Sequence, residues 1–442
     1  MHVTERVFFD ESNNLMTVRH LTVHGTNFQI GQELGKLAME RHGRSTVHFI
    51  ANPLYAKARR MYFQRNYPIH WERVRGVAAA FGLNPEDDRY DLTGIPYNLD
   101  VPPPTLGCSV VYYPPSTTAT GHGYLSRNYD FPVGTMADLL RIPLPPEVKA
   151  EMSPVMRDPY IMEWYPEDGG NASLAVHSFD MLSGTLDGLN SAGLLVSIMA
   201  DEEAMGALGP RLEQHLGPQQ VTGLHELQVM RWLLDTCATT EDAKEALLTV
   251  KQYYFLVPCH YIVADRAGDS FIYENSTGRN VQHVIEGSGQ PQVVTNFQIH
   301  KHANPDMIPS GPLTLETNAF WRYQTLVDRI TKHQSLFSAD DLKATNACVN
   351  IDKLLKVIGG DPTQKSVAAG VLSRTLWHSL YDQHAGRVEF SFYLGEQVHA
   401  DGTPTERRSD YLAFALSRSG SGVVEAAPDH AVGQQIGRSV AN

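Results

Sequence analysis

The chain has only four cysteines in 442 residues, and they lie far apart: Cys108, Cys237, Cys259 and Cys348. This spacing argues against a disulfide framework and favours reduced thiols in a cytoplasmic compartment. Cationic residues are also scarce, with 36 Lys and Arg against 49 Asp and Glu, which gives a net charge of −13. Nucleic acids and anionic membranes bind cationic surfaces, so we expect neither as a partner.

The sequence also lacks a long apolar run. The longest apolar stretches, such as residues 192–200, fall well short of the ~18 residues that a membrane-spanning helix needs. The first twenty residues contain Glu5, Asp10 and Glu11 and no apolar segment, so no secretory signal is expected. A hydrophobic fraction of 42% with 19% charged residues is typical of a globular protein.

Motifs for common cofactors are missing or incomplete. The glycines of the segment at 31–37 have the wrong spacing for a phosphate-binding loop, and no dinucleotide fingerprint follows a strand. The metalloprotease-like pair His225-Glu226 is followed by Val229 where a second histidine is required. His300 and His302 could ligate a metal, but no helix aligns a carboxylate with them. We therefore expect neither a cofactor nor a metal.

The order of predicted elements indicates the fold class. Residues 26–82 are predicted to be mainly helical, beginning with a capping box at Thr26 and Gln29. A Pro-rich connector at 87–104 follows, and beyond it short strands alternate with helices. This order predicts an α+β domain with layers of antiparallel sheet and helix.

Among the cysteines, Cys108 has the most unusual position. It follows Gly107 where the Pro-rich connector meets a strand predicted at 109–113. A cysteine at a strand start is often only a packing residue. However, the second strand of the predicted hairpin carries Arg127 and leads to Asp130. A guanidinium favours a thiolate, and a carboxylate can orient a proton, so this hairpin has the residue types of a thiol nucleophile site.

Several short motifs occur in a fixed order: Gly107-Cys108, RNYD at 127–130, DGLNSAGL at 187–194, Thr295-Asn296 and Arg322-Tyr323. This order resembles the N-terminal-nucleophile (Ntn) hydrolases of the choloylglycine hydrolase and penicillin V acylase type. The long leader before Cys108, with GTNFQIGQELG at 25–35, resembles their relatives, the acyl-coenzyme A:6-aminopenicillanic acid (isopenicillin-N) acyltransferases. The closing WHSLYD at 377–382 is similar to that group as well, so the resemblance covers residues 23–395.

The resemblance implies a four-layer αββα sandwich, with two antiparallel sheets between helical layers. It also implies self-cleavage between Gly107 and Cys108. Cleavage would leave a helical leader at 1–107, a catalytic region at 108–416 and a flexible tail at 417–442. The new α-amine of Cys108, with a reference pKa of ~7.7–8.0, could act as general base near neutral pH. We expect a homo-oligomer of such two-chain units.

The resemblance also implies roles for individual residues. Arg127 and Asp130 take supporting positions beside the nucleophile, and Asn296 takes the oxyanion position. Arg322 matches more loosely, because Ala319-Phe320-Trp321 precedes it where the family has a serine. Asn190 is either a turn residue or a pocket residue. Residues 198–200 lack the second oxyanion asparagine of the bile-salt enzymes, so a backbone N–H would have to serve there.

The predicted function is hydrolysis of a linear amide of a small molecule through a Cys108 thioester. One alternative is transfer of the acyl group to an amine, and another is a non-catalytic ligand-binding relative with an unprocessed leader. A cysteine protease that uses His122 or His260 as base is a third possibility. Trp164, Tyr165 and Met199 are candidates for an apolar pocket or for the core.

Overall fold

The described part of the chain has gaps. The computed structural model describes residues 1–10, 14–97, 107–135, 137, 142–145, 147–148, 152, 154, 156–204, 221–255, 257–276, 281–302, 304, 307–309, 317–351, 373–400, 404–417 and 435–436. Residues 98–104 of the Pro-rich connector and most of the predicted tail therefore lie outside the described residues.

Seven α-helices occur in these ranges: α1 Asn27–His42, α2 Pro53–Asn66, α3 Pro68–Phe81, α4 Glu226–Thr236, α5 Thr240–Thr249, α6 Asn318–Lys332 and α7 Ala339–Ala347. None of these described helices is both long and apolar enough to cross a membrane. The strands are β1 His2–Phe9, β2 Val18–Gly25, β3 Gly107–Tyr113, β4 Tyr124–Pro132, β5 Tyr160–Pro166, β6 Ser173–His177, β7 Thr185–Asn190, β8 Leu195–Ala200, β9 Leu224–His225, β10 Gln252–Tyr253, β11 Cys259–Ala264, β12 Ser270–Ser276, β13 Val281–Glu286, β14 Gln292–Val294, β15 Ser373–Asp382, β16 Arg387–Val398, β17 Pro404–Arg408, β18 Leu412–Ala415 and β19 Gln435–Ile436.

Two large sheets form the centre of the fold. The first has ten strands in the order β13-β12-β11-β8-β7-β6-β5-β2-β1-β19. The second has seven, in the order β14-β3-β4-β15-β16-β17 with β18 also paired to β16. Pairing within them is antiparallel except between β2 and β5, which run parallel.

The two sheets face each other, and helices cover their outer faces. Helices α1, α4 and α5 contact the ten-stranded sheet, whereas α6 and α7 contact the seven-stranded sheet. The main apolar core lies between the sheets and includes Val110 of β3 and Val196 of β8. These contacts confirm the predicted α+β class and give the layer order helix, sheet, sheet, helix.

Several local predictions are confirmed. The β3–β4 hairpin and the β15–β16 hairpin form as expected. The capping box at the start of α1 is also present, with reciprocal bonds between Thr26 and Gln29.

The predicted helices of residues 1–107 are present, but this segment is not helical throughout. The leader also contributes β1 and β2, and β2 lies between β1 and β5 inside the ten-stranded sheet. The prediction of purely antiparallel sheets also fails at one pair of strands. Strand β2 is followed by helices and pairs with β5 in parallel orientation.

A buried charge cluster also ties the leader to the catalytic region. The Arg73 guanidinium on α3 donates to both carboxylate oxygens of Asp235 on α4, at 2.5 and 3.1 Å. Arg231 lies 2.9 Å from the same carboxylate, and both guanidinium groups stack over Trp164. Since these side chains are fully buried, each charge depends on the others for compensation.

We expect Asp235→Ala to lower the free energy of unfolding by about 3–5 kcal/mol, because it leaves two buried guanidinium groups without their carboxylate. Urea unfolding followed by circular dichroism measures the change. Asp328→Ala, which removes an exposed partner of Lys332, is the control and should leave the unfolding midpoint unchanged. Equal stability of Asp235→Ala and the wild type would contradict this account of the cluster.

Candidate active site

Cys108 lies at the second position of β3, and the alternation of the strand decides which way its side chain points. Cys108, Val110 and Tyr112 belong to the core between the sheets, whereas Val111 and Tyr113 pack against α6 and α7. The thiol therefore faces the other sheet and is only 2% exposed.

Arg127 on β4 is the charged partner of this thiol. Its Nη2 donates to Sγ of Cys108 at 3.5 Å and to the Ile198 carbonyl at 2.7 Å. Burial raises the pKa of the Cys108 thiol, and the Arg127 guanidinium acts in the opposite direction. The net effect is a raised pKa, so Arg127 offsets only part of the burial that disfavours the thiolate.

Asn296 and Arg322 hold the backbone of Cys108. The Cys108 N–H donates to Oδ1 of Asn296 at 2.8 Å, and Nη1 of Arg322 donates to the Cys108 carbonyl. Arg322 Nη2 also donates to Oδ1 of Asn296 at 2.7 Å. The Asn296 side-chain nitrogen donates to the Ala200 carbonyl at 2.8 Å, which uses one of its two N–H groups.

Asp130 lies on the opposite side of β4 from the thiol. Its Oδ1 accepts from Thr375 at 2.6 Å, whereas Oδ2 is buried without a hydrogen-bond partner in the described residues. Burial raises the pKa of Asp130 to about 6, although Arg322 and Thr375 both lower it. The expectation that the thiol faces both Arg127 and Asp130 is therefore correct only for Arg127.

Gly107 lies directly over Asp130. The two residues are opposite each other in the β3–β4 pair, and a Cβ at Gly107 would stand 3.1 Å from the Asp130 Cβ and 3.5 Å from its Oδ2. A larger residue at position 107 would therefore crowd the Asp130 carboxylate. The predicted cleavage bond lies between this carboxylate and the Asn296 amide.

The DGLNSAGL motif contributes Asp187 to the site, a residue that sequence reasoning did not select. Asp187 Oδ1 accepts from Arg127 Nη1 at 2.5 Å, and Oδ2 accepts from Ser379 at 2.9 Å. Asn190 lies at the β7–β8 turn, where its amide nitrogen bonds the Leu234 and Cys237 carbonyls. Of the two interpretations left open for Asn190, the structure gives the turn residue.

Other partners of the site could be found only in part from sequence. Asn318 precedes Arg322 by four residues on α6, and its Oδ1 accepts from Arg322 at 2.8 and 3.1 Å. Helical spacing could have indicated this pair. Thr375 carried no comparable local signal, because it meets Asp130 only through the pairing of β15 with β4.

A small cavity adjoins the thiol and is lined mainly by apolar side chains. It has about 20 Å³ of space, enough for roughly one water molecule. Its walls are Cys108, Arg127, Tyr129, Phe179, Leu186, Ile198, Ala200, Glu226, Leu227, Val257 and Cys259. Trp164, Tyr165 and Met199 are not among these walls and are buried in the core.

The remaining cysteines differ in burial. Cys237 and Cys259 are buried, as expected. Cys348, a thiol that could equally be read from the sequence as a buried packing residue, is half-buried and lines a surface cleft of about 410 Å³ between α6 and α7. Because Cys348 is more exposed than the other cysteines, an alkylation experiment must identify which cysteine is labelled.

The histidines considered as bases or ligands are occupied elsewhere. His122 bonds Asp382 at 2.9 Å, and His260 Nε2 lies 2.5 Å from the Thr295 carbonyl. Nδ1 of His300 lies 2.5 Å from Glu274, while Nε2 of His302 is 3.6 Å from Glu203. Within the described ranges, no three His, Cys, Asp or Glu side chains are arranged to bind a metal ion.

We expect Arg127→Gln combined with Asp187→Asn to move the pH midpoint of Cys108 alkylation upward. The double change removes the guanidinium that lowers the pKa of the thiol, without leaving Asp187 as an unpaired buried charge. Iodoacetamide labelling at a series of pH values, with mass mapping of each cysteine, measures the midpoint. The profile of Cys348 in the same digests should not move, and an unmoved Cys108 profile would contradict the role of Arg127.

The site places a cysteine at a strand start, with hydrogen-bond partners arranged around its own backbone and a guanidinium beside its thiol. Among solved structures, the chain is similar to a mutant of conjugated bile acid hydrolase from Clostridium perfringens, with 13% identity, a TM-score of 0.44, and coverage of 73% of this chain and 97% of that one. It is also similar to penicillin V acylase from Agrobacterium tumefaciens, with 18% identity, a TM-score of 0.37, and coverage of 64% and 82%. None of the curated proteins matches it.

The family itself is shown by sequence. The family model for acyl-coenzyme A:6-aminopenicillanic acid acyl-transferase matches residues 117–348, which is more than half of the 442 residues. The chain belongs to this family of acyl-transferring enzymes. The matched region contains Arg127, Asp130, Asn296 and Arg322, while Cys108 lies nine residues before it.

Proposed function

We propose that the chain is a self-processing cysteine amidohydrolase that cleaves the C–N bond of a linear amide through a thioester on Cys108. One observation carries the proposal. The thiol of Cys108 lies against Arg127, while the N–H and carbonyl of the same residue are held by Asn296 and Arg322. The nucleophile and the bond that must be cut to free its amine are thus held by one set of side chains.

Maturation begins when the Cys108 sulfur attacks the carbonyl carbon of Gly107. A thioester forms, the Gly107–Cys108 C–N bond breaks, and the nitrogen takes up a proton to become the α-amine. Water then hydrolyses the thioester to give the Gly107 carboxylate and the free thiol. The absence of a Cβ at Gly107 supports this step, since the sulfur and the carbonyl carbon must approach closely.

Turnover uses the same groups on an external amide. The α-amine accepts the thiol proton as sulfur attacks the substrate carbonyl, then gives a proton to the departing amine nitrogen. The Asn296 amide supplies a donor for the oxyanion, and Arg127 stabilises the sulfur as an anion. Water hydrolyses the acyl-enzyme to release a carboxylic acid.

Acyl transfer is the second candidate, favoured by the family match. The two reactions share every step up to the thioester and differ only in whether water or an amine takes the acyl group. We favour hydrolysis because water is always present, whereas transfer needs a binding site for an acceptor.

Intact mass combined with an amide panel tests the proposal. We expect fragments of about 12 and 37 kDa, scaled by length from 49.1 kDa. We also expect release of acid from amides with varied acyl groups, and a mass increase on the larger fragment equal to the acyl group. Adding amines to the assay distinguishes transfer, because a new amide would then form. A full-length chain that is active on these amides would exclude the α-amine mechanism.

A further inference from the structure

Glu202 lies next to the proposed site but has no part in the chemistry described above. It follows β8 by two residues, and its backbone N–H donates to the Asn296 carbonyl at 2.9 Å. The residue is half-buried. Among the described residues, no hydrogen bond or ion pair involves its carboxylate.

Charges of both signs surround Glu202. Burial raises the pKa of Glu202 to about 7, Arg322 lowers it, and Asp201 and Asp130 raise it further. His260 also lowers the pKa of Glu202, and Arg127 and Arg408 act on Asp130. The hydrogen bonds of Arg322 go to neutral atoms of Cys108, Ser109, Asn296 and Asn318. A further cation placed here would be attracted by both Glu202 and Asp130.

The reaction geometry decides which part of a substrate reaches Glu202. Sulfur of Cys108 faces the apolar cavity between the sheets, so the acyl group bound to sulfur lies on that side. The departing amine must lie beside the Cys108 nitrogen that protonates it. That nitrogen donates to the side-chain oxygen of Asn296, and the backbone carbonyl of Asn296 accepts from the Glu202 N–H. The amine part of the substrate therefore lies on the side of Glu202.

Cleavage of the Gly107–Cys108 bond would open the same region. Gly107 covers the Asp130 carboxylate, and Oδ2 of Asp130 has no hydrogen-bond partner in the described residues. After cleavage, the new end of the leader can move away from Asp130. Two carboxylates, those of Asp130 and Glu202, would then border the space for the amine part.

We propose that Glu202 is a specificity-determining residue, and that the preferred substrates are amides whose amine part carries a positive charge, such as a monoacylated diamine. This inference rests on the proposed function and names the substrate class of the same site. The charge of the amine part then distinguishes good substrates from poor ones.

The test compares three amides that share one acyl group, phenylacetyl or hexanoyl, at pH 8. Their amine parts are 1,3-diaminopropane (cationic), propylamine (neutral) and β-alanine (anionic). We expect kcat/KM to be highest for the cationic amide, mainly through a lower KM. Glu202→Gln should reduce the ratio of cationic to neutral kcat/KM about tenfold. Glu203→Gln is the matched control, since Glu203 instead binds the Gln298 N–H and lies near Lys301.

The outcomes separate this inference from the proposed function. If neither acyl series is hydrolysed, the proposed function fails and the inference fails with it. If the amides are hydrolysed without preference for the cationic one, the inference is overturned while the hydrolase assignment stands. The inference is likewise overturned if Glu202→Gln leaves the ratio unchanged or if Glu203→Gln lowers it equally.

Discussion

Cys108→Ala should leave the chain as a single polypeptide of about 49 kDa that hydrolyses no amide, because both self-cleavage and turnover need the same sulfur. Cys108→Ser should be cut slowly, since a hydroxyl is a weaker nucleophile than a thiolate near neutral pH. Gel electrophoresis over days of incubation and intact mass measure the cleavage, and acid release from the amide panel measures turnover.

Cys259→Ala is the matched control for this prediction. Cys259 lines the same cavity as Cys108, but its thiol donates to the Val257 carbonyl and has no position in the proposed chemistry. Its variant should be cut at the same bond as the wild type. Cleavage of Cys108→Ala at residue 107 would show that another protease cuts the chain, and the proposed maturation would be wrong.

We propose that the Asp130 carboxylate, which lies beside Gly107, moves a proton during self-cleavage. Asp130→Asn should therefore slow self-cleavage by about 10²–10⁴-fold, the range expected for loss of such a group. The change is nearly isosteric, and Oδ1 can still accept from Thr375, so the fold should persist. Gel densitometry of freshly purified protein measures the rate. A wild-type rate in Asp130→Asn would exclude Asp130 from the maturation chemistry.

The pH profile gives an independent measure of the same group. Because the pKa of Asp130 is about 6, its carboxylate becomes protonated as the pH falls through that value. Above about pH 6, the wild-type cleavage rate should fall with decreasing pH because the thiol becomes protonated. Below about pH 6, the logarithm of the rate should fall more steeply, because the Asp130 carboxylate becomes protonated as well. Asp130→Asn should lack this break. Glu202 has a pKa of about 7, so Glu202→Gln must be measured alongside to separate the two carboxylates.

The leader should remain attached after cleavage. Strand β2 lies inside the ten-stranded sheet, and Arg73 of the leader is paired with Asp235 beyond the cut. Fragments that separate on a denaturing gel should therefore elute together under native conditions. This arrangement explains how a chain could cut itself without losing the sheet on which its own site is built.

The local parts of the site follow from the amino-acid sequence alone. Alternation along β3 and β4 places Cys108 and Arg127 in one hairpin, and the capping box at Thr26 marks the start of α1. Such signals can be read from sequence because they depend on neighbours a few residues apart.

The distant residues that complete the site depend instead on tertiary packing. Arg127 pairs with Asp187 across 60 residues, and Arg322 reaches the Cys108 carbonyl across 214. The sequence predicts that Asp130 faces the thiol, whereas the structure places it on the other face of its strand, next to Gly107. Residue type and spacing do not encode contacts between separate strands and helices, since these depend on how the sheets pack. The same packing buries the carboxyl groups of Asp130 and Glu202 and thereby raises their pKa values.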